Sequence, residues 1–219
     1  TGPNAPSSGG LFSYMLNGPI PTQANTGLTT VLNLGAATIS DTAAGVTIIN
    51  PTIPATQVGL TTSSVPGTPY KVRTLNAVTS EGASAAAVGL GWIDSVSGKA
   101  EYISINYGAN SAGQLVLQQQ SSFTNYYANL EFGYYSGYAK YPIWLQITDD
   151  GTDVSYAYSL DGVNYTNLYS AAKVGSYLGA TGYNQILWWG YGGGMVGGNS
   201  GGPIPVSPSN ITLMSWNII

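Results

Sequence analysis

From Leu28 onward the chain alternates apolar and polar residues with a period of two. In "EYISINYG" Ile103, Ile105 and Tyr107 share one face, with Tyr102, Ser104 and Asn106 opposite. In "IWLQIT" Ile143, Leu145 and Ile147 alternate with Trp144, Gln146 and Thr148. Successive side chains of an extended strand point to opposite faces, so this period predicts strands with one buried face. "DVSYAYSL" is expected to bury Val154, Tyr156, Tyr158 and Leu160 and to leave Ser155 and Ser159 on the other face. Further strands are predicted in "LTTVLNLG", "GVTIIN", "KVRTLNAV", "AVGLGWID", "GQLVLQQQ", "NLEFGYY", "NQILWWGY" and "ITLMSWNI". No segment predicts a helix of ten or more residues; "SAAKVGSYL" predicts a short helical turn.

Turn chemistry separates these runs. "SVSGKA", "DDGTD" and "LDGVN" place Gly after small polar residues, where tight hairpins need positive φ. About a dozen short strands joined in this way predict an all-β, two-sheet antiparallel jelly-roll sandwich. The Pro/Gly/Ser-rich start, residues 1–10, is expected to be a linker or tether, and residues 11–219 a single domain. Met195–Asn210 is expected to be a long loop between the last two strands.

Composition narrows the functions available. Charged residues make up 6% of the 219, against roughly 25% in typical domains. The polar surface must therefore come from hydroxyls and amides. Lys71, Arg73, Lys99, Lys140 and Lys173 are the only cations, too few to neutralise the phosphates that give nucleic-acid affinity. A net charge of -4 disfavours anionic membrane surfaces, and no apolar run approaches the roughly 20 residues of a membrane span. The start, "TGPNAPSSGG", has no basic or apolar region and no initiator Met, so it reads as a processed or trimmed end without a signal peptide. The chain has no Cys, and a core of this size needs no disulfides.

The order "VGLGWIDSVSGKAEYISI", "WLQITDDGTDVSYAYSLDGVNYTNLYS" and a closing "ITLMSWNI" resembles the concanavalin A-like lectin/glucanase sandwiches. In that superfamily a strand opened by Trp leads through an Asp-Gly hairpin into a strand ending "S.DG..(W/Y)..L". Here those positions are Trp144, Asp150–Gly151, Ser159, Asp161–Gly162, Tyr165 and Leu168. The resemblance covers roughly Leu28–Ile219, and its style is most similar to lectin-like domains of bacteriophage fibre and virion-surface proteins. It implies a virion-surface, extracellular location, with other virion proteins as partners. It also implies a homo-oligomer, and fibre symmetry points to a trimer.

The candidate chemistry is that of binding. With neither His nor Cys, the chain lacks the residues of nucleophilic triads and most proton shuttles. Glucanases of the resembled superfamily carry Glu-x-Asp-x-Glu on one strand. None of Glu81, Glu101 and Glu131 has an acid two residues on, so no catalytic residue is assigned. Asp149, Asp150 and Asp153 could face a hard cation, but Asp and Gly are also the residues of a bare turn. They are expected to be ordinary solvated carboxylates at a hairpin tip, with no metal and no cofactor.

Seventeen Tyr, five Trp and three Phe carry the binding argument. Rings stack on the apolar faces of sugars while amides and hydroxyls bond their hydroxyls. "FGYYSGYAKY" and "LWWGYGGGMVGGN" join aromatics to glycine-rich backbone, so the candidate ligand contacts are Tyr134, Tyr135, Tyr138, Trp188, Trp189 and Tyr191. Adjacent Trp188 and Trp189 must face opposite ways, one into the core and one outward or into a groove. Three functions stand open: a non-catalytic virion-surface adhesion domain binding a host surface glycan, a structural virion subunit using its aromatic faces for assembly, and a glucanase-like hydrolase.

Overall fold

A computed structural model describes residues 18–51, 56–79, 85–108, 111–134, 142–179, 182–193 and 209–219. The expected tether at residues 1–10 and most of the expected loop Met195–Asn210 lie outside them. Among the described residues fourteen strands form two antiparallel seven-stranded sheets. In chain order they are β1 (Thr30–Leu32), β2 (Thr38–Thr42), β3 (Gly45–Asn50), β4 (Thr56–Thr61), β5 (Tyr70–Thr79), β6 (Ala85–Ile93) and β7 (Ala100–Gly108). There follow β8 (Ser111–Ser122), β9 (Asn125–Tyr134), β10 (Ile143–Asp149), β11 (Asp153–Ser159), β12 (Thr166–Ala172), β13 (Gln185–Gly193) and β14 (Ser209–Ile218). The first sheet runs β1-β4-β13-β6-β7-β8-β9 and the second β12-β11-β10-β5-β14-β3-β2. The helical turn expected near "SAAKVGSYL" is a 3-10 turn at Lys173–Gly175, and a four-residue helix, α1 (Gln23–Thr26), opens the described chain behind a Thr22 cap.

The period-two pattern sorts the side chains as expected. Inner-face residues of the first sheet, such as Leu60, Leu90, Ile103, Leu117 and Trp188, meet Ile48, Val72, Leu145, Tyr156 and Ile211 of the second in one buried cluster. Two indoles reach across it. Trp92 Nε1 donates to Tyr70 Oη (2.8 Å) and Trp188 Nε1 donates to Asn76 Oδ1 (2.9 Å). Asn76 Nδ2 in turn donates to Thr74 Oγ1 (2.8 Å), so the amide is satisfied on both sides. Each bond is directional where the rest of the core is not, and it fixes how one sheet sits on the other.

The strand β11 corrects one part of its expectation. Val154 and Tyr156 are buried inward and Tyr158 packs against the same cluster, but Leu160 has left the strand and is 46% exposed. Ser159 stays on the outer face, opposite Trp144, and is nevertheless buried. Its cover is its own turn. Ser159 Oγ donates to Asp161 Oδ1 (2.8 Å) and accepts from Gly162 N (2.9 Å), while Asp161 Oδ1 accepts from Val163 N and Asn164 N (both 2.8 Å). Those bonds hold the Asp161 carboxyl well below the usual carboxylate range. The turn is thereby pressed onto the Trp144 ring. A Cβ at Gly162 would lie 2.7 Å from Trp144 Cε2, and its φ is +75°. The "S.DG" pattern behind the resemblance is therefore a lid over an outward-facing tryptophan.

Gly162→Ala is expected to lower stability by about 2–4 kcal/mol, combining strain at positive φ with overpacking against Trp144. Gly182→Ala, at φ +79° with nothing within 4 Å of its Cβ, should cost only about 1 kcal/mol. Calorimetric melting of both variants checks the difference; equal losses would reject the role given to Trp144.

Candidate functional site

The outer face of the first sheet gathers an unusual set of side chains. Register places Gln57, Tyr191, Ala87, Asn106, Gln114 and the position of Tyr134 in one row across β4, β13, β6, β7, β8 and β9. Another row, at the opposite end of the strands, brings Gln185, Ile93, Ala100, Gln120 and Tyr126 together. Gln118 stands beside Tyr102 and donates to Asn129 Oδ1 (3.1 Å). Five of the chain's eight glutamines thus share this face. No Asp, Glu, Lys or Arg occupies any of its described register positions.

The centre of this face is aromatic. Trp189 and Tyr102 meet at 4.7 Å between ring centroids, and Phe123 and Leu187 close around them. Glycine makes the room: a Cβ at Gly89 would collide with the Trp189 indole, and one at Gly59 would sit 2.7 Å from Phe123 Cζ. Gln120 Nε2 donates to Tyr102 Oη (2.6 Å) and Gln57 Nε2 to the Phe123 carbonyl (2.8 Å), tying the amides to this centre. Trp189 is only 3% exposed, whereas Tyr191, Gln57, Asn106, Gln114, Gln118 and Gln185 are half-buried around it. The aromatic centre is itself buried, with Tyr102 1% and Phe123 8% exposed, so what this face offers a ligand is the Tyr191 ring and the hydrogen-bonding amides at its margin.

The six residues singled out from sequence separate. Trp188 is wholly buried in the intersheet core, so its position serves stability. Trp189 is the floor of the outer face, and Tyr191 is accessible beside it. Tyr134 ends β9 opposite Gln114, while Tyr135 and Tyr138 lie outside the described residues. Sequence reasoning passed over Tyr126 and Tyr127, which are 58% and 61% exposed. Their signal was the double Tyr in "TNYYAN", directly after the turn that opens β9.

The carboxylates have other work. Asp149, expected to be an ordinary solvated group at the hairpin tip, is buried: it accepts from Lys173 Nζ (2.7 Å), Tyr183 Oη (2.6 Å) and Gly151 N (2.9 Å). Asp150 Oδ1 accepts from Thr152 N (2.8 Å) and Asp153 N (2.6 Å), which lowers its pKa. Among the described residues no group of three or more His, Cys, Asp or Glu is arranged to hold a metal ion. Glu101 faces the intersheet core, where it accepts from Tyr156 Oη (2.6 Å) and Gln119 Nε2 (2.8 Å). Burial pushes its carboxyl up, and the two donors pull only partly the other way. A separate cleft of about 360 Å³, lined by Pro69, Tyr70, Lys71, Thr148, Asp150 and Ile219, opens beside the "DDGTD" hairpin. Among the described residues no helix is long and apolar enough to cross a membrane.

No protein-family model matches the chain, and no curated protein matches it. Solved structures do. The legume lectin-like domain from Entamoeba histolytica superposes with a TM-score of 0.54 over 91% of this chain and 93% of its own, at 9% identity. The chain has the concanavalin A-like sandwich fold. The VIP36 exoplasmic/lumenal domain in its Ca2+/Man3GlcNAc-bound form gives 0.52, covering 87% of this chain and 82% of that one at 8% identity. The alginate lyase from Klebsiella pneumoniae gives 0.51, covering 84% and 85% at 12% identity. Such identities establish the concanavalin A-like sandwich and nothing finer; lectin domains and an enzyme share it, so the fold does not divide binding from catalysis.

The raised Glu101 pKa sets a direction for stability. The folded state holds this proton to higher pH than the unfolded chain, so the stability Glu101 contributes is full below its ordinary value of 4.5 and falls as pH rises above it. Glu101→Gln should therefore flatten the decline in melting temperature above pH 4.5 relative to the unaltered protein. Parallel curves for the two proteins from pH 4 to 8 would contradict the burial of this carboxylate.

Proposed function

We propose that this chain is a non-catalytic carbohydrate-binding domain displayed on a virion surface, where it adheres to a host glycan. The observation that carries the binding part is the outer face of the first sheet: half-buried amides and Tyr191 at the margin of a buried aromatic cluster. The lectin-like domains among its structural neighbours support the same reading. The virion surface rests on the resemblance of the "GWIDSVSGKA" and "S.DG" segments to phage fibre and virion-surface domains. In this setting residues 1–10 are a tether into a single domain, other virion proteins are its neighbours, and the copies associate, as a trimer if fibre symmetry applies.

Against catalysis stands the placement of Glu101. A general acid or nucleophile must reach substrate, and this carboxylate is enclosed between two sheets and already accepts two hydrogen bonds. The exposed rings of Tyr126 and Tyr127 favour a second reading, assembly through aromatic faces, because exposed aromatic area is what interfaces use.

A glycan array decides between them. The proposal expects binding that Tyr191→Ala weakens by about 1–3 kcal/mol, the scale of one stacked ring, at unchanged melting temperature. Trp188→Ala should instead cost about 3–5 kcal/mol of stability, as a large buried side chain does. A silent array combined with oligomers that dissociate on altering Tyr126 would favour assembly.

A further inference from the structure

The second sheet has a polar outer face of its own, with two cations at its centre. Its middle strand, β5, turns Lys71 and Arg73 outward as alternate residues, about 7 Å apart at strand rise. Register puts Asn217, Arg73, Gln146, Ala157 and Asn167 in one row across β14, β5, β10, β11 and β12, and Lys71, Thr148, Ser155 and Ser170 in the next. Neither row contains an acid. The chain's one arginine is held from two sides. Arg73 Nε donates to Gln146 Oε1 (2.7 Å), and its guanidinium carbon lies 4.5 Å from the centroid of the Tyr165 ring. Both contacts leave the end of the fork open: among the described residues no oxygen accepts from its Nη groups. Other described cations are engaged, Lys173 with Asp149 and Lys99 over the Tyr177 ring, whereas neither Arg73 nor Lys71 is in an ion pair with a described acid.

We infer that Arg73 and Lys71 form a second binding site, which takes the carboxylate of an acidic sugar, a uronate or a sialate. The site lies on the sheet opposite the Tyr191 margin and does not depend on it. A guanidinium is a planar fork that matches a carboxylate with two parallel hydrogen bonds, and Tyr165 and Gln146 fix its orientation before any ligand arrives. Space for the rest of the sugar opens one row along. The cleft of about 360 Å³ is lined there by Lys71, Thr148 and Ile219, and Lys71 and Ile219 exchange both backbone hydrogen bonds (2.7 and 3.0 Å). That volume suits a small ligand, and the half-buried Thr148 and Asn217 offer partners to sugar hydroxyls. The neighbouring acids do not fill the fork. Asp161 spends both oxygens on its own turn, and Asp150 Oδ1 accepts from Thr152 N and Asp153 N. Asp150 also lines the cleft, so that end favours hydroxyl donors and leaves the ligand's carboxylate to Arg73.

The test presents the full chain with uronate-bearing, sialate-bearing, sulfated and neutral oligosaccharides and a polyglutamate peptide, followed by calorimetry on whatever binds. Uronate- or sialate-bearing glycans are expected to bind, more weakly as salt rises. Arg73→Gln should weaken them by roughly 10- to 150-fold, the equivalent of hydrogen bonds to a charged group. Arg73→Lys should restore only part of that affinity, since an ammonium keeps the charge and loses the fork. Lys71→Gln, at an exposed position, should weaken them by about 2- to 5-fold at unchanged melting temperature, which keeps the test decisive if Arg73→Gln fails to fold. Tyr191→Ala should leave them untouched. Binding limited to neutral glycans, or acidic-glycan affinity lost in Tyr191→Ala but kept in the Arg73 and Lys71 variants, overturns this inference and leaves the Tyr191 reading standing. Capture of sulfated glycans alone, or of the peptide in place of acidic sugars, also overturns it. Silence across every probe overturns both.

Discussion

The packing of two sheets through a core that contains two tryptophans sets the terms for everything else in this molecule. Trp92 and Trp188 both project from the first sheet, and each finds its acceptor on β5 of the second, at Tyr70 and Asn76. An indole N–H buried without a partner costs about 1–3 kcal/mol, so a slide of one sheet over the other would lose both bonds together with the shape fit. The apolar contacts alone would tolerate some slippage. These two bonds do not, and they hold the outer faces in fixed registration behind them.

The two outer faces solve the same problem differently. A strand that alternates strictly must send every second residue away from the core, and here several of those residues are large rings. On the second sheet Trp144 is covered by a turn whose conformation is written into Ser159, Asp161 and Gly162, with Tyr165 packed beneath the Arg73 guanidinium at 4.5 Å. On the first sheet Trp189 lies over Gly89 and is hemmed by Tyr102 and Phe123, with amides rather than a polar turn at its margin. Both rings are buried, Trp144 to 5% and Trp189 to 3% exposure. What differs is the margin, a closed turn around Trp144 and half-exposed amides with Tyr191 around Trp189, and the proposed site is that second margin.

Among the described residues several of the few carboxylates have a structural duty. Asp149 binds the Lys173 ammonium and the Tyr183 hydroxyl, Asp150 and Asp161 close turns by accepting backbone N–H groups, and Glu101 bridges β7, β8 and β11 inside the core. A carboxylate that accepts several hydrogen bonds is stabilised as the anion, and one that is buried is not. The opposite pKa directions of Asp161 and Glu101 follow from that difference.

The sequence by itself determined the fold class, most of the strands and their faces, because period-two alternation and glycine after small polar residues are local properties that a strand and a hairpin read directly. It missed β2, β4 and β12. "TNLYSAA" has no alternation to show, since β12 is an edge strand half in solvent, and a bulge opposite Tyr156 breaks its register. Within the site, Tyr191 was legible as an aromatic beside glycine, but the fates of Trp188 and Trp189 were not. Alternation says that two neighbours face apart; only the second sheet makes one face interior, and only Gly89 on the neighbouring strand lets the other ring lie down. Asp149 looked like a turn residue because its partners, Lys173 and Tyr183, are distant in the chain. Five glutamines from β4, β8 and β13 form one surface only once the strand order β4-β13-β6-β7-β8 exists. Exposure, pairing across sheets and the assembly of a face from remote strands are non-local, and tertiary structure alone decided them.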